Sequence, residues 1–288
     1  MNKDIYQEIT NRIINSVDSA GKWSPPWKMV KPKMPVNAIS NKRYSGTNVL
    51  MCWLTAMDKG YSSHRWATFK QWAEKKVSIN KGEKGTPIIF FKAYEKINEQ
   101  GEPDKILMAR QSYVFNADQT DEKREEAPET PGIGGADSRN LPIDVFIYKT
   151  GAEIEVAGQR AYYQRVQDKI YMPPMPLFNG PEYYYGTLLH ELVHWTGAEK
   201  RLDREKGKRF GDDAYAMEEL VAEIGAAFMC AEFGIESTTR DDHASYIKHW
   251  LEVLQKDKKA IVSAASMAEK AVAFMQEKVG EQAMKEAA

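Results

Sequence analysis

Apolar positions at the start of the chain recur with a helical period. Ile5, Ile9, Ile13 and Ile14 fall near one face of a predicted helix over 3–17. A stretch of Pro and Trp at 23–27 breaks this pattern. After it, 48–59 reads as a helix and 68–76 as a shorter one capped by Thr68. Aromatic and β-branched runs at 88–94 and 108–114 predict strands, with 79–85 as a lysine-glycine turn between elements. Beyond residue 140, short runs at 143–149, 152–156 and 170–172 predict further strands, the last cut off by Pro173 and Pro174. Two strong helices follow. The first opens at Pro181, carries Leu188, Leu189, Leu192 and Val193, and stops at Gly197, assigned to a left-handed position. The second covers 214–233 and ends at Gly234, and helices over 244–254 and 258–279 complete the chain.

Residues 119–140 read QTDEKREEAPETPGIGGADSRN, too charged and too rich in Pro and Gly to bury a core, and predict a flexible linker. The expected fold class is therefore α+β in two domains. A mixed α/β domain spans 1–118, and a mainly helical domain with a small sheet spans 141–288.

No apolar run reaches the about 18 residues of a membrane helix, and the first residues lack a secretory signal, so a cytoplasmic protein without a membrane is expected. Cys52 and Cys230 sit far apart among apolar neighbours and read as buried free thiols. Residues 1–118 hold 19 Lys+Arg against 11 Asp+Glu, a balance of +8; the rest hold 21 against 30, a balance of −9, which sums to the net −1. This asymmetry points to a basic module for a polyanion beside an acidic partner domain. In the basic half, cations interleave with aromatics, the combination that holds single-stranded nucleic acid by phosphate attraction and base stacking. The candidate contacts are Lys31, Lys33, Lys42, Arg43, Tyr44, Trp66, Lys70, Lys81 and Lys84.

The sharpest chemistry is His190-Glu191-Leu192-Val193-His194. Histidines at i and i+4 share a helix face and can reach one cation, and Zn²⁺ suits neutral imidazoles. Glu191 stands beside the first histidine as general base, placed to take a proton rather than to bind metal. The second strong helix places Glu219 and Glu223 on one face, with small Ala222 and Ala226 nearby. This pattern resembles thermolysin-like zinc peptidases. Carried over, Glu219 is the third ligand of one Zn²⁺ per chain, and Glu223 the acid that orients a ligand histidine; Glu stands where that family usually has Asp, so the two roles are partly exchangeable. Glu218 would lie off the site. Tyr215, His243 and Tyr246 are candidate oxyanion donors, and 170–172 the candidate sheet edge for an added peptide.

Tyr44-Ser45-Gly46-Thr47-Asn48, Trp66-Ala67-Thr68-Phe69-Lys70-Gln71, Lys81-Gly82-Glu83-Lys84-Gly85 and Val114-Phe115-Asn116 occur in order with HELVHWTG and AYAMEELVAEIGAAF. This series resembles the ArdC antirestriction family over nearly the whole chain. The resemblance implies a single-stranded-DNA-binding domain related to that of TraC-type primases, a zincin-like metallopeptidase domain, and protection of incoming plasmid or mobile-element DNA. An unidentified host DNA-binding or restriction protein is the expected peptide substrate. The alternative is a non-enzymatic single-stranded-DNA-binding protein with a structural or vestigial zinc site. An enzyme acting on the nucleic acid itself is a weaker reading, because no second acidic cluster of a two-metal nuclease is visible.

Overall fold

The computed structural model describes residues 4–15, 33–97, 103–122, 139–204, 213–236 and 244–287. Trp23, Trp27, Lys31 and His243 lie outside the described residues. The first helix, α1 (Ile5–Asn15), buries Ile9 and Ile13 completely. The chain groups into two compact units, Met1–Ile9 with Pro35–Glu126 and Thr10–Met34 with Ala127–Ala288.

The first unit is built on β1 (Val36–Asn37), α2 (Thr47–Lys59), β2 (Arg65–Thr68), α3 (Phe69–Glu74), β3 (Thr86–Ile97) and β4 (Pro103–Asn116). The sheet order is β1-β2-β4-β3, with β1 parallel to β2 and the remaining pairs antiparallel. One core joins Cys52 and Ala56 of α2 to Trp66, Ile88 and Val114 of the sheet. Thr68 caps α3 in a reciprocal box with Gln71, as its position before the helix predicts. Residues 119–122, the start of the predicted linker, are docked on this unit: Gln119 is buried and donates to Glu83 and to the Lys84 carbonyl, while Glu122 pairs with Arg65 and Lys75.

In the second unit, residues 143–149 form part of a helix, α4 (Leu141–Thr150), where a strand was expected. Asn140 caps it, Pro142 occupies its first turn, and Gly151 closes it at φ 76°, while Ile143, Ile147 and Thr150 bury one helical stripe. Next come β5 (Glu153–Val156), β6 (Tyr162–Gln164) and β7 (Lys169–Met172), in the order β5-β7-β6. β7 is thus the central strand rather than the expected edge, because it pairs parallel with β5 and antiparallel with β6. The helices α5 (Pro181–Thr196), α6 (Asp213–Phe233), α7 (Ala244–Lys256) and α8 (Ala260–Ala287) complete the unit. α6 packs against the other three and is buried along most of its length. Gly197 does end α5, but at φ −81° and not in the left-handed region; its N–H reaches the carbonyls of His194 and Trp195. Among the described residues no helix is long and apolar enough to cross a membrane.

Candidate metal centre

α5 and α6 cross closely because α6 offers Gly225 to Val193; a Cβ at Gly225 would come within 2.8 Å of Val193 Cγ2. The approach brings His190 and His194 of α5 up to Glu219 of α6. The Nε2 atoms of the two histidines are 3.0 Å apart, and each lies 3.5 Å from an oxygen of Glu219. One ligand atom from each of the three residues falls within 4.8 Å of the others.

The outer nitrogens also face carboxylates. His190 Nδ1 is 3.0 Å from Glu223 Oε1, and His194 Nδ1 is 3.2 Å from Glu218 Oε1. A carboxylate accepts, so in the neutral rings the protons sit on Nδ1 and both Nε2 lone pairs face the same space as Glu219. Donors aimed at one point repel unless a cation lies among them. Two imidazoles and a carboxylate with that demand fit a divalent metal.

Glu218, expected off the site, belongs to it. Glu218 is buried against His194, and Arg204 holds it through two hydrogen bonds, at 3.0 and 2.7 Å. Arg204 also donates to Thr196 Oγ1 and to the Val193 carbonyl, joining the loop after α5 to both helices. The detectable signal was the run of acids at 218, 219 and 223 within an apolar helix; nothing local marked Arg204.

The charges are strongly coupled. Burial works against the imidazolium of His190, but Glu219 and Glu223 outweigh it and hold its pKa up at about 10. His194 is raised for the same reason, burial being overcome by Glu219 and Glu218. Burial would raise Glu218, yet Arg204 and His194 bring it down to about 2, and Glu219 is drawn below the ordinary carboxylate range by both histidines.

Glu191 is buried, and its Oε2 accepts the main-chain N–H of Tyr163 on β6 at 2.9 Å. The Tyr163 hydroxyl donates to Asp168 Oδ1 at 2.6 Å, and Arg201 binds Asp168 and also donates to the Trp195 carbonyl. Its guanidinium lies 4.1 Å over the Trp195 ring. Of the expected oxyanion donors, Tyr215 stands half-buried on α6 one turn before Glu219, and Tyr246 lies on α7 with its side chain outside the described residues.

In the first unit, Lys33, Lys42, Lys70, Lys81 and Lys84 are exposed and Arg43 is half-buried. Trp66 is 1% exposed within the core and presents no face to a base. Tyr44 packs against the same core and donates to the Trp66 carbonyl; burial pushes its hydroxyl up to about 12. Cys52 and Cys230 are both buried free thiols.

Comparison with known proteins agrees with this layout. The N-terminal domain of anti-restriction factor ArdC matches residues 3–129, and a zincin-like metallopeptidase family matches residues 142–267. Protein y4eC of Sinorhizobium fredii (strain NBRC 101917 / NGR234) is 36% identical over 94% of this chain and 91% of its own. DNA primase TraC of Escherichia coli is 33% identical over 99% of this chain, which spans only 28% of the primase. The metal-free crystal structure of the antirestriction ArdC protein from the R388 plasmid superposes with a TM-score of 0.82 at 41% identity, covering 96% of this chain and 98% of that one. The Mn(II)-bound structure of the same protein gives 0.80 at 38%, with the same coverage. With its site geometry and both halves matched in order, the chain belongs to the ArdC antirestriction family.

Proposed function

We propose that the second unit is a zinc-dependent peptidase centre and that the first unit binds single-stranded DNA, the two together shielding incoming plasmid or mobile-element DNA. The observation that carries the peptidase reading is the convergence of His190, His194 and Glu219 on one point, with Glu191 beside them and outside the ligand set. His190, His194 and Glu219 would hold one Zn²⁺, which supplies Lewis acidity and a water activated near neutral pH. Glu223 and Glu218 fix the ring orientation of the two histidines. Glu191 keeps one oxygen on the Tyr163 N–H, so its other oxygen takes the proton and later passes it to the leaving amine. An extended peptide is best received at β6, the edge strand beside Glu191, rather than at β7. Joining the two units in one chain raises the local concentration of the centre around DNA-bound host proteins, the proposed substrates.

Elemental mass spectrometry on zinc-loaded protein, alongside Glu219→Ala, is the direct test. The expected result is one zinc per chain, reduced in the variant. Host restriction proteins incubated with the loaded protein and single-stranded DNA should then yield fragments by intact mass. A protein that takes up no zinc under any loading condition would sink the reading.

A further inference from the structure

Three of the N-terminal motifs, WATFKQ, KGEKG and VFN, meet at one end of the four-stranded sheet. Thr68, the last residue of β2, and Thr86, the first of β3, both pair with Val114 of β4. Phe69, the next residue after Thr68, therefore leaves the sheet beside Tyr113, the residue before Val114. The lysine-glycine turn closes the other side: an added Cβ at Gly85 would come 2.9 Å from Tyr113 Cβ and 3.1 Å from the Phe115 ring, so the bare backbone lies flat against them.

The side chains divide sharply here. Trp66, Trp72, Val114 and Asn116 are buried and hold the elements together. Phe69 and Tyr113 are 65% and 51% exposed. α3 is already fixed by its capping box and by buried Trp72, so the fold has no need of the Phe69 ring. Exposed cations lie on the adjoining segments. Lys70 follows Phe69, its side chain 87% exposed and only loosely paired with Glu74 at 3.8 Å, while Lys81 and Lys84 stand on the turn. Two acids of the region are engaged by the protein: Glu83 accepts from Gln119, and Asp118 from the Ser62 and Ser63 N–H groups.

We infer that Phe69 and Tyr113, framed by Lys70, Lys81 and Lys84, form the stacking platform on which this chain holds single-stranded nucleic acid. Exposed aromatic faces beside cations suit unpaired bases on a polyanionic backbone, and the +8 balance of residues 1–118 gives the charge complementarity. Duplex DNA hides its base faces and an acidic peptide has none, so neither uses the rings. The inference rests on the DNA-binding reading above and replaces the sequence candidates Trp66 and Tyr44 with two residues that can be reached.

Fluorescence anisotropy of the full chain with a labelled oligothymidylate of about 20 nucleotides tests it. Phe69→Ala and Tyr113→Ala should each weaken binding by about tenfold, and Phe69→Tyr and Tyr113→Phe should keep it, since the ring face remains. Lys84→Ala should flatten the salt dependence of log K by about 0.7. Thermal melts of the two alanine variants should match the parent, because both rings are exposed. If the parent binds and the double alanine variant binds equally well, the platform is wrong. A duplex or polyglutamate that competes as well as the oligothymidylate would also overturn it. A parent chain with no affinity for the oligonucleotide would remove the DNA-binding reading along with the platform.

Discussion

The main-chain N–H of Tyr163 donates to Glu191 Oε2 at 2.9 Å, while the side chain of the same tyrosine is tied through Asp168 and Arg201 to the end of α5 at Trp195. One residue of a three-residue edge strand thus grips the metal helix at two points. A backbone N–H can only donate, so it holds Glu191 as an acceptor and keeps that oxygen away from the ligand set.

Glu191→Gln follows directly. The amide oxygen can accept the same N–H, so the variant should fold, load metal and melt like the parent. Proton acceptance is lost, and cleavage should fall by about 10²- to 10⁴-fold. Metal content and cleavage measured on one preparation check this; loss of metal would make Glu191 a ligand instead of a base.

Arg204→Ala leaves the buried carboxylate of Glu218 without its guanidinium. The expected cost is about 3–5 kcal/mol of stability, read as a lower melting temperature. Because Glu218 orients His194, zinc affinity should fall by about 10- to 100-fold in a competition titration. Arg204→Lys restores the charge without the paired hydrogen bonds and should lie between the two.

Gly225→Ala places a methyl group in the Val193 side chain. The helices must separate, costing about 1–3 kcal/mol in chemical denaturation. Val193→Ala in the same chain should recover part of that loss. Zinc affinity should drop in the single variant and return in the double one, since Val193 adjoins His194.

The stability of the metal-free protein should depend on pH with a definite sign. His190, held at about 10, and His194, also raised, contribute stability that is fully present below their ordinary value near 6.5 and is lost as pH rises towards 10. Glu218 and Glu219 are depressed, so their contribution is present above about 4.5 and is lost as pH falls towards 2. Melting temperature across pH 3–10, with and without zinc, checks this. Zinc loading should release protons at neutral pH and so abolish most of the alkaline decline.

The local arrangement of the metal site was legible because helix periodicity is local physics. Spacing alone put His190 beside His194 and Glu219 beside Glu223, and the capping pattern alone marked Thr68. The run 143–149 reads as a strand, yet it lies in a helix, and the flanking Asn140, Pro142 and Gly151 are the marks that decide it. Other features depended on which surfaces meet. Glu218 and Glu219 are neighbours in sequence, and only the crossing of α5 with α6 decides that one faces His194 Nδ1 and the other the Nε2 pair. Tyr163 reaches Glu191 across 28 positions. Trp66 and Phe69 are three residues apart, yet the sheet buries the first and α3 turns the second outward. Backbone period places side chains along one element. Partners and exposure come from how the elements pack, because burial and long-range hydrogen bonds belong to pairs of elements and not to either one.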